Sequence, residues 1–502
     1  MRRMAVSESY EVELFLRSYL KEFTVEDFIK HMGSKRIRMT EDKAMSYFQD
    51  SPYLFILSSG KLLTRAGAFT GKCFSFTLTP QEIKNRMFVP GHRFMPFVDS
   101  GINTSSFIYL CENEVLEHCV GEFRKEQALA LFRLYGEEYE SQYIASDPAN
   151  SDIDFAAAEY ELPPFIKLSG CSIGKFIDEM DLCAGDRIYC RVSDWNNSVI
   201  EIFPEHKPKA DPDMPVMIDS ISQARAEWNA FLESAFIECF EHLGPCSSIE
   251  EQIANVFFEY DRELCVDYCD SVENCLSKSK KIDFELFGVE TRLWKKGEVI
   301  PAVGPWNNIG SVPLPEDKNS GKERYTARNF EKIPFTVPDY ALDCYLRNME
   351  FKKLSDVEPL INEMYPQNYM MTLDERESVL LHITNQHDII HSSYNWFADF
   401  PLGEVRERAL KLYSKVCALV YDVESSSVGF EKFPQQELVI LSQLYSHMNR
   451  LLESMSLDPD SIINEIQTIG LSMEGMEYNF EDVDSVLRKE ILKQDKNDIT
   501  VV

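Results

Sequence analysis

Thr24-Val25-Glu26-Asp27-Phe28-Ile29 decides how the first part of this chain is read. A hydroxyl residue followed by two acids and then apolar residues predicts a capped helix start with an acidic first turn. Upstream, Val12, Leu14, Phe15, Tyr19 and Leu20 recur at helical spacing. Downstream, a third helix is expected from Thr40, carrying Ala44, Tyr47 and Phe48. After Ser51-Pro52 the period changes. Tyr53 to Leu57 and Leu62 to Thr64 are strand-like runs joined by Ser58-Ser59-Gly60-Lys61, which predicts a hairpin.

Three short helices and a hairpin follow the order of a winged helix-turn-helix, an arrangement that docks on DNA or on protein. Charge bears on that choice. The 502 residues carry 51 Lys+Arg against 83 Asp+Glu, a net of −32. Such a charge argues against a protein that coats nucleic acid along its whole length or adheres to an anionic membrane. It is unevenly spread: residues 1–110 hold 15 basic against 11 acidic residues, leaving 36 against 72 for residues 111–502. The candidate nucleic-acid-binding residues are Lys35, Arg36 and Arg38 before the third helix, Lys43 on it, and Lys61 and Arg65 on the wing. The same residues also suit a solvated face or an intramolecular dock for the acidic remainder. The third helix opens with Glu41-Asp42, which repels phosphate, and offers few base-reading side chains beyond Lys43 and Gln49.

Outward from this module, Pro-rich or polar breaks at Ser146 to Asp152, Pro204 to Pro215 and Pro301 to Gly321 read as linkers or extended connections. The expected class is α+β and multidomain. A basic winged-helix-like module spans 1–110, a small mixed segment with a β-hairpin 111–215, and a second winged-helix-like unit 216–300. A linker at 301–330 and an all-α domain at 331–502 complete the chain. In the second segment, Asp186 to Val192 should pair with Ser198 to Ile202 through Asp194-Trp195-Asn196-Asn197. A faint repeat aligns Tyr47 to Arg65 with Cys275 to Leu293: helix end, strand, Gly-containing turn, strand with Arg. In the last domain, Leu438, Leu441, Leu444, Tyr445, Met448, Leu451, Leu452 and Met455 make one apolar stripe, and Val405, Leu412, Val416, Leu419 and Val420 another.

The run Tyr19 to Ile29, with Tyr47-Phe48 and the Phe55 to Arg65 hairpin, resembles the winged-helix module of the bacterial RNA polymerase delta subunit and related domains. Ser248 to Ile253 with Phe284 to Trp294 resembles a second, diverged copy. The resemblance implies a module that binds polymerase or DNA. The chain departs from the delta subunit in carrying a helical C-terminal half in place of a disordered acidic tail.

Catalytic patterns are few. Gly170-Cys171-Ser172-Ile173-Gly174 matches a nucleophile elbow between a strand and a helix. A hairpin follows it, however, where a hydrolase needs alternating strands and helices, and His206 and His242 are the only later histidines before the long break. His387-Asp388-Ile389-Ile390-His391 places two imidazoles one turn apart, as zinc sites do, although the stripe Leu380, Ile383, His387, Ile390, His391 and Tyr394 favours histidines lining a core. Cys265, Cys269 and Cys275 lack zinc-knuckle spacing, and Gly67 to Cys73 is one residue short of a phosphate loop. The thirteen cysteines are expected to be reduced thiols. Met1-Arg2-Arg3-Met4 is not followed by an apolar stretch, and no apolar run reaches membrane-spanning length, so a cytoplasmic protein is expected.

The leading expectation is a non-enzymatic, nucleic-acid-associated or transcription-associated protein. It would engage DNA or RNA through the N-terminal module and a protein partner through the acidic helical half, with no cofactor and no membrane partner. The alternative is an interaction scaffold that ignores nucleic acid. A metal-dependent or serine hydrolase ranks below both.

Overall fold

Thr24 caps its helix through a reciprocal pair of bonds. Its hydroxyl accepts from the Asp27 N–H at 3.2 Å, and the Asp27 carboxylate accepts from the Thr24 N–H at 3.0 Å. Two helix-end donors are thereby satisfied without water. The helices Glu8–Ser18, Val25–Ser34 and Glu41–Gln49 precede strands β1 (Leu54–Ile56) and β2 (Leu62–Thr64), which pair antiparallel with Leu54 opposite Thr64. Phe23, between the first two helices, bridges Leu62 and adds a third extended segment to the hairpin. Phe15, Phe23, Phe28 and Phe48 are buried together, with Phe28 edge-on to Phe15 at 5.1 Å and to Phe48 at 4.9 Å.

The structure, a computed structural model, describes residues 8–49, 51–57, 59–153, 162–205, 214–308, 337–354, 356–426 and 428–498. The basic start Met1 to Met4, the turn residue Ser58, His206, Pro208 and Pro212 of the second break, and most of the 301–330 linker lie outside the described residues. The chain forms two compact units: residues 1–286 with 290–298, and residues 287–289 with 299–502.

Within the first unit follow β3 (Cys73–Thr77), β4 (Met87–Phe88), β5 (Ile108–Cys111), β6 (Glu114–Val115), β7 (His118–Arg124), β8 (Phe165–Ser172), β9 (Arg187–Asp194) and β10 (Val199–Pro204). They make a five-stranded sheet of order β3-β9-β10-β5-β6 and a three-stranded sheet of order β4-β8-β7. The β9–β10 hairpin is the one its turn residues predict. Trp195 in that turn is fully buried and donates its indole N–H to Pro96 O at 2.8 Å. β10 also pairs in parallel with β5, and β3 pairs with β9, so one sheet crosses the boundary expected at residue 110.

Ser146 to Asp152 is not a linker. Asp147 and Asn150 are buried. The Asp147 carboxylate accepts from the Ser169 N–H and hydroxyl, each at 2.7 Å, while Asn150 donates to Lys167 O at 2.8 Å and accepts from its N–H at 3.3 Å. The polar residues that look like a break complete the hydrogen bonding of β8.

Helices Met214–Leu243, Ile249–Glu259, Asp261–Leu264 and Val272–Lys278 come next, then β11 (Ile282–Phe287) and β12 (Glu290–Lys295). The expected sequence of helix end, strand, glycine turn and strand recurs here, with Gly60 at φ +76° and Gly288 at φ +69° in the two turns. The amide of buried Gln252 donates to Leu293 O at 2.8 Å and accepts from the Leu293 N–H at 2.9 Å, fixing the helix Ile249–Glu259 to β12.

The second unit contains helices Asp339–Lys352, Glu358–Met364, Leu373–Ser393, Trp396–Ser425, Gln435–Leu457, Pro459–Asn464 and Ile466–Asp498. Both predicted stripes supply its core. Leu438, Leu441, Leu444, Met448, Leu452 and Met455 are buried against Leu412, Val416 and Leu419 of the neighbouring helix. Arg406 enters this interior only because its guanidinium forks onto both oxygens of Asp399 at 2.6 Å. Among the described residues no helix is long and apolar enough to cross a membrane.

Candidate functional site

The six basic residues singled out from the sequence divide into three kinds. Lys35, Lys43 and Lys61 stay half-exposed, each facing a glutamate of the same module: Glu11 at 3.2 Å, Glu8 at 2.5 Å and Glu22 at 3.2 Å. Pairs this exposed are weak, about 0–1 kcal/mol, but they cancel the local charge that would attract phosphate. Arg36 and Arg38 are exposed, and neither has an ion-pair partner among the described residues. Arg36 ends the second helix at φ +66°, where the Ile37 N–H reaches back to Met32 O at 3.0 Å. This is the turn a glycine usually makes, and here it points the chain into the third helix.

Arg65 differs from the rest. It opens the short helix Arg65–Phe69 and its side chain is 6% exposed, with Nη1 2.5 Å from Glu250 Oε1 at the start of the helix Ile249–Glu259. The other Glu250 oxygen accepts from the Ser100 hydroxyl at 2.6 Å. Phe55 on the β1–β2 hairpin stacks face to face on Phe258 of that same helix, ring centroids 4.1 Å apart. Lys72 pairs with Asp261 nearby. The β1–β2 hairpin is therefore docked within the first unit, and Arg65 is turned inward, away from solvent.

Around Ser172 the expected strand and helix are present, as β8 and the helix Gly174–Met180. Among the described residues no histidine is hydrogen-bonded to Ser172, so nothing there draws a proton from its hydroxyl. Cys265, Cys269 and Cys275 are protonated thiols: burial raises the first well above its usual range and pushes the other two up to about 12. Gly67 lies inside the helix Arg65–Phe69, packed so closely that a Cβ would meet Leu63 at 2.6 Å; this segment does not form a phosphate-cradling loop.

His387 and His391 do not line the core. His387 is partly buried and His391 is 70% exposed, and both rings turn to Glu350 on the helix Asp339–Lys352. Nothing in the local pattern around Glu350 marks it as a partner; only helix packing brings it there. Cys239, His242 and Glu259 form a second group of donor atoms, in the first unit.

A cavity of about 550 Å³ in the first unit is lined in part by Thr77, His92, Arg93, Gln127, Glu273 and Lys296. Burial drives two of its groups toward neutrality. Glu273, whose buried Oε1 accepts no hydrogen bond, is pushed up to about 7. His92 is pushed down to about 3 by burial and by the neighbouring Arg93 charge, and its Nδ1 accepts from the Leu134 N–H at 3.4 Å. The Arg93 guanidinium is itself held by Glu82, with both side chains almost fully buried. No protein-family model matches this sequence, no curated protein matches it, and no solved structure matches its fold.

Proposed function

We propose that this chain is a non-enzymatic protein-interaction scaffold in which both winged-helix-like units serve as docking modules. The observation that carries this reading is the internal dock: within the first unit, Arg65 on Glu250 and Phe55 on Phe258 join the N-terminal hairpin to the helix Ile249–Glu259 of the other winged-helix-like segment. The order of helix, bridged segment, two helices and two strands supports the winged-helix reading of residues 8–65. Three of the remaining basic residues face carboxylates of their own module, which favours protein over phosphate as the partner.

An outward surface of suitable chemistry exists on the helical unit. Trp396 lies parallel to Phe351 with centroids 6.1 Å apart and 5.0 Å from Phe400, while Phe397 and Phe400 are 85% and 54% exposed. Aromatic side chains in such a group supply large contact area at little entropic cost, as interface anchors do. A photo-crosslinking residue at Phe397 of the full chain, expressed in its native cells, should yield a discrete protein adduct that the same residue at Lys489 does not. Adduct patterns identical at the two positions would count against the scaffold.

Nucleic-acid docking is the second reading, favoured by the exposed Arg36 and Arg38, which have no ion-pair partner among the described residues. It requires anisotropy of labelled DNA or RNA to rise with full-length protein at low salt, to fall at moderate salt, and to be abolished by Arg36→Gly with Arg38→Ala. Under the scaffold reading the full chain leaves the anisotropy unchanged.

A further inference from the structure

His387 and His391 stand one turn apart on the helix Leu373–Ser393, and Glu350 reaches both from the helix Asp339–Lys352. Glu350 Oε1 lies 2.7 Å from His387 Nε2 and 2.9 Å from His391 Nδ1. One donor atom from each of the three residues falls within 4.8 Å of the others. His391 Nδ1 is hydrogen-bonded to the carboxylate, but His387 Nε2 is buried and makes no directed hydrogen bond despite its proximity. A carboxylate oxygen and an imidazole nitrogen at that spacing are held together either by a proton on the nitrogen or by a cation shared between them, and the poor alignment of an Nε2–H with Glu350 favours the shared cation.

We propose that Glu350, His387 and His391 form a binding site for a divalent first-row transition-metal ion, with Zn²⁺ the best-matched member of the class. Two imidazoles and one carboxylate are the borderline donor set such ions take, whereas Mg²⁺ and Ca²⁺ call for oxygen-rich cages. The Glu350 and His387 side chains are 12% and 14% exposed and fix two corners of the site. His391, at 70% exposed, can swing. Tetrahedral ligands bonded at about 2.0–2.2 Å stand roughly 3.3 Å apart, so admitting the ion requires each histidine to part from Glu350 by about half an ångström, through rotation of His391 on one side and a small turn of the Glu350 carboxylate away from His387 on the other. The solvent side of His391 leaves a fourth position for water or an incoming ligand. The bound ion would clip the end of the Glu350 helix to the histidine helix.

The Cys239, His242 and Glu259 group is the weaker candidate and the natural control. Its thiol donates to Glu259 Oε2 at 3.2 Å, and burial beside that carboxylate raises the thiol well above its usual range, opposing the ionisation that metal binding needs.

Full-length protein stripped with a chelator and titrated with Zn²⁺ against a chromophoric competitor tests the proposal. The result expected is one site whose affinity falls at least ~100-fold in His387→Asn and in His391→Asn, beyond the ~10–100-fold typical of outer-sphere partners, and which Cys239→Ser leaves unchanged. Co²⁺ in its place should give the visible bands of a tetrahedral site without an intense thiolate charge-transfer band. His391→Asn alters an exposed side chain, so circular dichroism should confirm that this variant keeps its fold. A stoichiometry unmoved by either histidine substitution, loss of the site in Cys239→Ser alone, or no Zn²⁺ uptake at all would overturn it, and the cluster would then be a hydrogen-bonded ion pair only.

Discussion

Burying Arg65 beside Glu250 makes each charge depend on the other. Arg65→Ala leaves a carboxylate in a largely dry site with, among the described residues, only the Ser100 hydroxyl for a partner, and the first unit should lose about 3 kcal/mol in urea denaturation. Removing both charges, as Arg65→Met with Glu250→Gln, should recover much of that loss. The cavity residues make a pH prediction of the same kind. Glu273 keeps its proton in the native state up to about 7, while the unfolded chain loses it near 4.5, so native stability from this group declines as pH rises through that window. His92 acts oppositely: held neutral down to about 3 against an ordinary 6.5, it costs stability as pH falls below 6.5. The two slopes offset each other between about pH 4.5 and 6.5. Glu273→Gln should therefore gain stability relative to the parent as pH rises from 4.5 to 7, by on the order of 3 kcal/mol, in parallel urea melts across that range.

At the scale of elements, β8 depends on partners that are not strands. Asp147→Ala strips the Ser169 N–H and hydroxyl of their acceptor, and a buried unsatisfied donor costs about 1–3 kcal/mol; the midpoint of urea unfolding should fall accordingly. β8 also runs so close to β4 that a Cβ on Gly170 would lie 2.1 Å from Phe88 O. Gly170→Ala should push these strands apart and destabilise the first unit more than Gly185→Ala, where a Cβ meets nothing within 4 Å and only the φ of +89° is unfavourable. In the sequence, the glycine of Gly170-Cys171-Ser172 reads as part of a nucleophile motif. In the fold it serves strand packing.

Across the whole molecule, the buried core of the helical unit is drawn, among the described residues, from the segment between Ala341 and Leu487. A fragment spanning 299–502 should fold alone, with a helical circular-dichroism spectrum and one cooperative melt. In the full chain, Arg65→Ala should lower one thermal transition and leave the helical unit's transition in place. Most elements were legible locally, because a cap such as Thr24, a hairpin turn such as Asp194 to Asn197 and a stripe such as Leu438 to Met455 each act over a few residues. Ser146 to Asp152 reads as a linker because a polar run looks the same whether it meets water or the backbone of a distant strand. The candidate sites were half legible. The histidine pair lies within one helix turn and could be seen, whereas Glu350 arrives from another helix. Arg65 and Lys61 look alike along the chain, yet one is buried against Glu250 and the other half-exposed. Helices, hairpins, apolar faces and the uneven spread of charge follow from neighbours along the chain, and so are readable from the order of residues alone. Which charges remain available is set by the fold, because burial and ion pairing depend on residues brought together from far apart.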